Sequence, residues 1–586
     1  MRTDTPEEAK TDLQLTNLMS DFHNDAKEYH QTFFDNMIEA HGIYEGDKNH
    51  HWGKNLENQW VNKLVEAEGK PALVKNYIQP LVHLLCGIQA NEPLECRTTA
   101  RTEEDAPVSE GTSECLKWIW DRNRGKRKMS NQFKSGIISG RGWIAIEEVD
   151  DEDDLFASRT VISSVDAGEV MYDRKSKELD LSDCDYIIRE RVLSRSLATL
   201  LWPEKEKELS EYYSFMNNNV SARDERAYSF LRKNVIINEC YYRIYKKRML
   251  IVDSLRGEVI PVDGAPDEDI AAFLAVNPNS RVIHKNVKGM KFMRTCGATR
   301  NTSVLLEAGD SPYDDNYFPY VPFFAYRGRD IDYGIIRNLI DPQREVNKRD
   351  SQLLHLLNSA PKARVITDDP TLADKYEAGD EILTVAKGTQ HTIIPPPELS
   401  KGHVFLGQNN ESSIKKISGI NDDLKGERRA SDPGIVVSLR QKQGMTMVAS
   451  LFDNLEDSFD LAAQVMMSRI RQFMPETTIA RILGPAKANP EIIKAIKSKD
   501  AEDFDIVITK VPSTPTVRIE NFAKLMELLK SGVLPPSAKV QETVIKASDV
   551  PQKEELIEGL KAAEMSVNPG GPPSTGPQDI SGLQPV

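Results

Sequence analysis

The chain has 586 residues, with 90 acidic against 75 basic side chains and a formal net charge of −15. Hydrophobic residues make up 39% and charged residues 28%, which places it among globular proteins and away from collagenous or wholly disordered chains. About 150 residues per domain would allow about four folding units, and the surplus of acid excludes a generally basic, nucleic-acid-coating surface while leaving room for local basic patches.

No stretch approaches the ~20 apolar residues that cross a bilayer, and residues 1–30 are polar and acidic with no signal-like core, so the expectation is a soluble protein that is not exported. Six cysteines (Cys86, Cys96, Cys115, Cys184, Cys240, Cys296) include no C-x-x-C pair, which favours reduced thiols over a zinc or redox site. His50 and His51 are adjacent and point different ways on any regular element, so they read as surface or turn residues and not as ligands.

Taken in chain order, residues 1–45 carry helical spacing (Leu13, Leu18, Phe22, Phe33, Met37, Ile38), and 52–94 carry a second helical face marked by Ile78, Leu81, Val82, Leu85 and Ile88. A third helix is predicted near 114–123. Residues 142–149 alternate as a strand, and the acidic run Asp150 to Asp154 that follows reads as a solvated hairpin turn, since it lacks the spacing and glycine of a calcium loop. Further strands are predicted at 159–165, 185–192, 234–244, 249–252 and 281–292. Residues 311–330 hold three prolines and a run of aromatics, a packed extended seam that cannot be helical.

Beyond the seam a helical pattern covers 334–359, with Pro342 suited to the first turn of a helix starting there. Residues 362–400 read as short strands at 363–366, 381–385 and 391–394, and a helix follows at 410–421. Residues 425–434 form a charged loop, and 437–474 are the most periodic stretch of the chain, a helix of about 55 Å. After it come helices near 490–497, 518–530, 536–546 and 552–563 and a strand at 504–511, and the Pro, Gly and Ser of residues 566–586 predict disorder. The fold class is α+β and mostly helical.

Reaction signatures are missing: the chain has no G-x-x-x-x-G-K-[ST], no G-x-G-x-x-G after a strand, no H-E-x-x-H and no G-x-S-x-G. The pairs Asp314-Asp315 and Asp422-Asp423 read as solvated turn formers, so no catalytic residue, cofactor or metal is nominated. Residues 401–444 carry eight Lys or Arg against five Asp or Glu, a local +3 in an acidic chain. That cluster is either a solvated face or a contact for nucleic acid.

Several stretches in order carry a resemblance: Trp52 with Gln59-Trp60, Asn76-Tyr77-Ile78, Gly87, Asn91-Glu92-Pro93, Gly140-Arg141-Gly142-Trp143, Tyr172-Asp173-Arg174-Lys175-Ser176 and Asp180-Leu181-Ser182-Asp183-Cys184. They continue through Trp202-Pro203, Pro322-Phe323, Gly334 to Gln343, Asn347, Ser351 and Ser418-Gly419-Ile420. Over about residues 50–475 the chain resembles the portal proteins of tailed bacteriophages, specifically the short-tailed (podovirus) type.

The resemblance implies a ring of typically twelve copies at one capsid vertex around a channel for double-stranded DNA, with no enzymatic activity of its own. It implies a wing over residues 1–330, a first stem helix at 331–360, a clip at 361–405, a second stem helix at 406–424 and a tunnel loop at 425–436. A long wing or crown helix would follow at 437–474, then a wing return and short crown at 475–565. Lys425, Arg428 and Arg429 would face DNA from the tunnel loop, and Lys362 and Arg364 would lie where the clip meets the motor. Expected partners are further copies of the chain, DNA held without sequence preference, the large terminase subunit, major capsid and scaffolding proteins and tail adaptors, with no membrane; the setting would be the virion, after assembly in the host bacterial cytoplasm. Two other readings are a metal-dependent nucleic-acid-processing enzyme using the Asp150 to Asp154 run, and another head-completion component.

Overall fold

The computed structural model describes residues 11–91, 94–99, 106–150, 158–218, 234–253, 259–261, 267–277, 280–297, 303–329, 331–359, 364–367, 391–394, 412–418, 434–485, 489–498 and 505–510, with short helical pieces at 525–530, 541 and 544–545. The chain forms two compact units, residues 1–87 with 96–508, and residues 88–95 with 509–586.

The order of elements begins with helices α1 (Asp12–Glu45), α2 (Lys48–Trp52), α3 (Val61–Ala67) and α4 (Ile78–Asn91), strand β1 (Leu94–Thr99), and helices α5 (Ala106–Arg122) and α6 (Gly125–Ser139). Strands β2 (Arg141–Asp150), β3 (Ser158–Val165), β4 (Val170–Tyr172) and β5 (Tyr186–Ser194) lead to helices α7 (Arg195–Leu201) and α8 (Glu206–Asn218). Then come β6 (Asn234–Asp253), β7 (Val259–Pro261), α9 (Asp267–Val276), β8 (Ser280–Cys296), β9 (Val304–Asp310), β10 (Tyr320–Phe324), β11 (Tyr326–Arg327) and β12 (Asp332–Tyr333). The rest is α10 (Ile340–Ser359), β13 (Arg364–Thr367), β14 (His391–Ile394), α11 (Gly434–Phe473), α12 (Glu476–Leu483), α13 (Pro490–Lys497) and β15 (Asp505–Lys510).

The α+β expectation holds. The spacing over 1–45 becomes one 34-residue helix, closed at its start by a Thr11/Gln14 capping box and ended by Gly46 at φ +82°. The second helical stretch is broken: α2, α3 and α4 are separated by turns and by a non-helical segment at 70–77, which α10 holds extended. Pro342 does sit in the first turn of α10, where a missing N–H costs nothing.

Two sheets make the framework of the larger unit. One has strand order β4-β5-β6-β8-β9, with β7 on the outer part of β6; the other has order β10-β2-β3. Sequence reading splits 234–252 into two strands at the basic run Lys246-Lys247-Arg248, but β8 pairs with β6 continuously from Ile237↔Cys296 to Asp253↔Ser280, and that ladder carries the strand through. The aromatic seam becomes β10, buried along its length and paired with Arg141–Ala145 of β2.

The hairpin reading of the acidic run agrees with β2 and β3, which pair Asp150 with Ser158; residues 151–154 lie outside the described residues. Helix α1 lies on the larger sheet through Met19, Phe22 and Ala26, with Phe22 stacked on Tyr186 at 4.3 Å between ring centroids. Helix α11 packs against the smaller sheet, against α5, where Phe459 meets Trp120, and against α6, where Phe452 meets Phe133. Burial of its apolar stripe from Val448 to Ile470 explains how that part of the 40-residue helix is held.

Candidate functional site

Gln343, Asn347 and Ser351 are spaced four apart, so they share one face of α10, and all three are buried. They meet every second residue of the 70–77 segment. The Tyr77 N–H donates to Gln343 Oε1 (3.0 Å), the Lys75 N–H to Asn347 Oδ1 (2.9 Å) and the Leu73 N–H to Ser351 Oγ (2.8 Å), while Gln343 Nε2 donates back to the Lys75 carbonyl. A period of two along the segment against a period of four on the helix is how an extended chain fits a helical ladder of side chains.

The same face collects α1 and α2. Asn347 Nδ2 donates to His51 Nδ1 (3.1 Å), which leaves the other ring nitrogen to donate to the Ile43 carbonyl (2.8 Å). Arg344 pairs with Glu39 and donates to the His50 carbonyl, and Trp52 Nε1 donates to the Leu73 carbonyl. The expectation for His51 is therefore corrected: it is fully buried, because α10 supplies the partner its ring needs. Burial first, and then Arg344, push its imidazole below the usual range, so it is held neutral.

A second buried knot lies beneath the β10 seam. Arg141, 1% exposed, donates from Nε to Asp332 Oδ2 (2.7 Å) and from Nη2 to His30 Nδ1 (3.0 Å), and Tyr172 donates its hydroxyl to the same Asp332 oxygen. With Nδ1 accepting, His30 donates from Nε2 to the Tyr172 carbonyl. Gly140 and Gly142 make this possible: Gly140 is left-handed (φ +108°) and a Cβ there would stand 2.6 Å from the Tyr333 backbone, while one on Gly142 would meet the Gln132 carbonyl at 1.9 Å. Trp143 is then a core residue, 1% exposed.

Nearby, Glu239 accepts from Arg294 and from the Tyr320 hydroxyl; burial raises its carboxyl, but Arg294 and Arg191 outweigh that and hold it below its ordinary range. Asp315 corrects a second expectation. It is buried and paired with Arg469 of α11 at 2.5 Å, whereas Asp314 stays on the loop.

The loop after β4 is folded on Asp183, which accepts from the Ser176 hydroxyl and the Lys177 and Glu178 amides. These bonds, and chiefly those from Lys177 and Ser176, overcome desolvation and lower its carboxyl. Among the described motif residues of the resemblance, Gln343, Asn347, Ser351 and Asp183 are thus main-chain clamps and Arg141 is half of a buried ion pair.

Of the expected contact residues, Lys425, Arg428, Arg429 and Lys362 lie outside the described residues. Arg364 is on β13, opposite Ile394 in the ladder with β14. Among the described residues no group of three His, Cys, Asp or Glu is placed to hold a metal, Cys86, Cys115, Cys184, Cys240 and Cys296 are free thiols, and no helix is long and apolar enough to cross a membrane. The clamps were missed by sequence reading because Gln, Asn and Ser four apart look like an ordinary solvated helix face.

What these clamps and buried pairs define is a rigid structural subunit. Comparison with protein families matches residues 20–581 to the phage P22-like portal proteins, and comparison with the curated proteins found no match. The chain belongs to the phage P22-like portal protein family: a structural portal of short-tailed phages that serves DNA packaging, and not an enzyme.

Proposed function

We propose that twelve copies form a ring at one capsid vertex, with α10 and the helix around 412–418 as the two stem helices and the β13–β14 pair as the core of the clip. The observation that carries this is the order of elements: a helix, two strands paired antiparallel from Arg364↔Ile394 to Thr367↔His391, a second helix, then the 40-residue α11. The chain between the second of these helices and α11 carries the tunnel loop, which ends earlier than the expected residue 436 because α11 already begins at Gly434; there Lys425, Arg428 and Arg429 meet DNA phosphates without reading bases.

An acidic chain with a few cations at the loop suits a channel that DNA must slide through. Each neutralised phosphate adds counterion-release affinity, so a uniformly basic wall would hold the duplex in place. The clip docks the large terminase subunit during filling and tail adaptors afterwards, with Lys362 and Arg364 at that contact; capsid and scaffolding proteins meet the wing. The clamp of α10 on residues 73–77 supports the reading, since it ties the wing's first elements to the helix that would carry load along the channel.

Light scattering with negative-stain imaging tests it. Particles near twelve times 66.0 kDa with a central hole are expected. A chain that stays monomeric with and without scaffolding protein overturns the ring.

A further inference from the structure

The corner between α5 and α6 concentrates positive charge in a chain that is acidic overall. Five of the seven residues from Arg122 to Lys128 are Lys or Arg and none is acidic. Arg122, Arg124, Lys126 and Arg127 are exposed and Lys128 half-buried, and among the described residues no carboxylate pairs with Arg124, Lys126, Arg127 or Lys128. Crowding like charges on adjacent turns destabilises a helix start.

The fold nevertheless builds this corner firmly. Arg124 is held left-handed at φ +53°, and Gly125 is required because a Cβ there would stand 2.1 Å from the Trp120 ring. Asn123 ties the turn to β3, donating to the Thr160 carbonyl (3.0 Å) and accepting from the Ile162 amide (3.2 Å). A basic patch held in place in this way fits a partner of opposite charge.

The same compact unit carries such a partner. A groove of about 330 Å³ runs between α11 and the 178–180 loop, with Glu178, Asp180, Asp457 and Asp460 on its rim and Phe324 and Leu461 in its lining. Among the described residues none of these four carboxylates has a Lys or Arg partner. Desolvation, followed by Asp453 and Glu456 for Asp457, raises its carboxyl; desolvation likewise raises Asp460, with Asp457 adding to the effect. At 100° per residue, Asp453, Asp457, Asp460 and Gln464 lie roughly 120° around α11 from Phe452 and Phe459, which face α6 and α5. Corner and groove therefore look out from different sides of one helix, and among the described residues Arg124, Lys126, Arg127 and Lys128 and the four groove carboxylates have no ion-pair partner within a copy.

We propose that the Arg124–Lys128 corner of one copy seats in the Glu178, Asp180, Asp457 and Asp460 groove of the next. Two different, complementary patches on one unit make a heterologous contact, and such contacts close into rings when the rotation allows. The inference rests on the ring reading and names the surface that drives it. A duplex DNA backbone is the competing partner for the corner alone, but it leaves the groove unexplained.

Charge swapping in the full chain tests the contact. Lys126→Glu/Arg127→Glu and Asp180→Lys/Asp457→Lys change exposed side chains, and circular dichroism checks that each variant folds; where a reversal does not, Lys126→Gln/Arg127→Gln replaces it, with a smaller loss expected. Each reversal alone should weaken self-association about tenfold or more by light scattering. Mixing the two reversed chains should restore rings, because each reversed corner then finds a groove of opposite sign. Rings that survive both reversals, or a mixture that does not recover, overturn this contact while leaving the ring intact as a reading. Variants that assemble normally and lose only affinity for a duplex DNA probe also overturn it, in favour of a phosphate-binding corner. A wild-type chain that never assembles overturns both.

Discussion

Asn347 in the middle of α10 accepts the backbone N–H of Lys75 at 2.9 Å, across 272 residues of chain, and donates from the other end of its amide to His51. One side chain thus satisfies a backbone N–H and one nitrogen of a buried ring. Replacing it with Leu keeps the volume and orphans both groups, at about 1–3 kcal/mol for each buried polar group left unpaired. Asn347→Leu should lower the unfolding temperature more than Ser351→Ala does, and hydrogen exchange at Lys75 and Tyr77 should quicken. Unchanged exchange at Lys75 would count against the clamp.

Asp315 and Arg469 form an ion pair with side chains 4% and 0% exposed, and the guanidinium lies 3.5 Å from the Tyr313 ring centroid. Breaking such a pair strands a charge, whereas replacing both with apolar residues can be close to neutral. Asp315→Leu should cost about 3–5 kcal/mol, and Asp315→Leu/Arg469→Met should recover most of it. Denaturant unfolding of the four-member cycle gives the coupling, and strict additivity would refute it.

Glu148 gives a pH dependence whose sign is fixed by its surroundings. Burial raises its carboxyl to about 7, in spite of bonds from Thr160 and Ser158 and the charge of Arg469. The folded chain therefore holds a proton that the unfolded chain releases near pH 4.5. The stabilisation is full below about pH 4.5 and is lost as pH rises through about 7. Glu148→Gln should raise the unfolding temperature at pH 8 and change it little at pH 5; equal effects at both values would show the carboxyl to be unperturbed.

His30 acts in the opposite sense. Its imidazole is pushed well below the usual range, first by burial and then by Arg141. Unfolding lets it take up a proton near its ordinary value of about 6.5, so its contribution is present above that pH and is lost as pH falls below it. His30→Gln should flatten the acid limb of the stability curve between about pH 6.5 and pH 5, and an unchanged limb would place that dependence elsewhere.

Much of the secondary structure was legible because its signal is local. Period-four apolar residues gave α1 and α11, the helix read near 490–497 is α13, and alternation in 142–149 gave β2. The run Lys246-Lys247-Arg248 hid the middle of β6, since polar residues give no alternation and only the pairing with β8 holds that part extended. The break at residues 70–77 opens with a local stop, Gly69 at φ +72° followed by Pro71, but what holds the chain extended as far as Tyr77 is the hydrogen-bonding face of α10, far away in sequence.

The sequence by itself determined the composition class, the absence of catalytic signatures and the order of elements that marks a short-tailed phage portal, because these depend on residue type and spacing along the chain. Tertiary structure alone decided which polar residues are buried. His51, Asp315, Asn347 and Arg141 look like surface residues in a list of amino acids, and each is interior because a partner from a distant segment satisfies it. A buried polar group is stable only when paired, and pairing across hundreds of residues is a property of the folded chain that no local pattern carries.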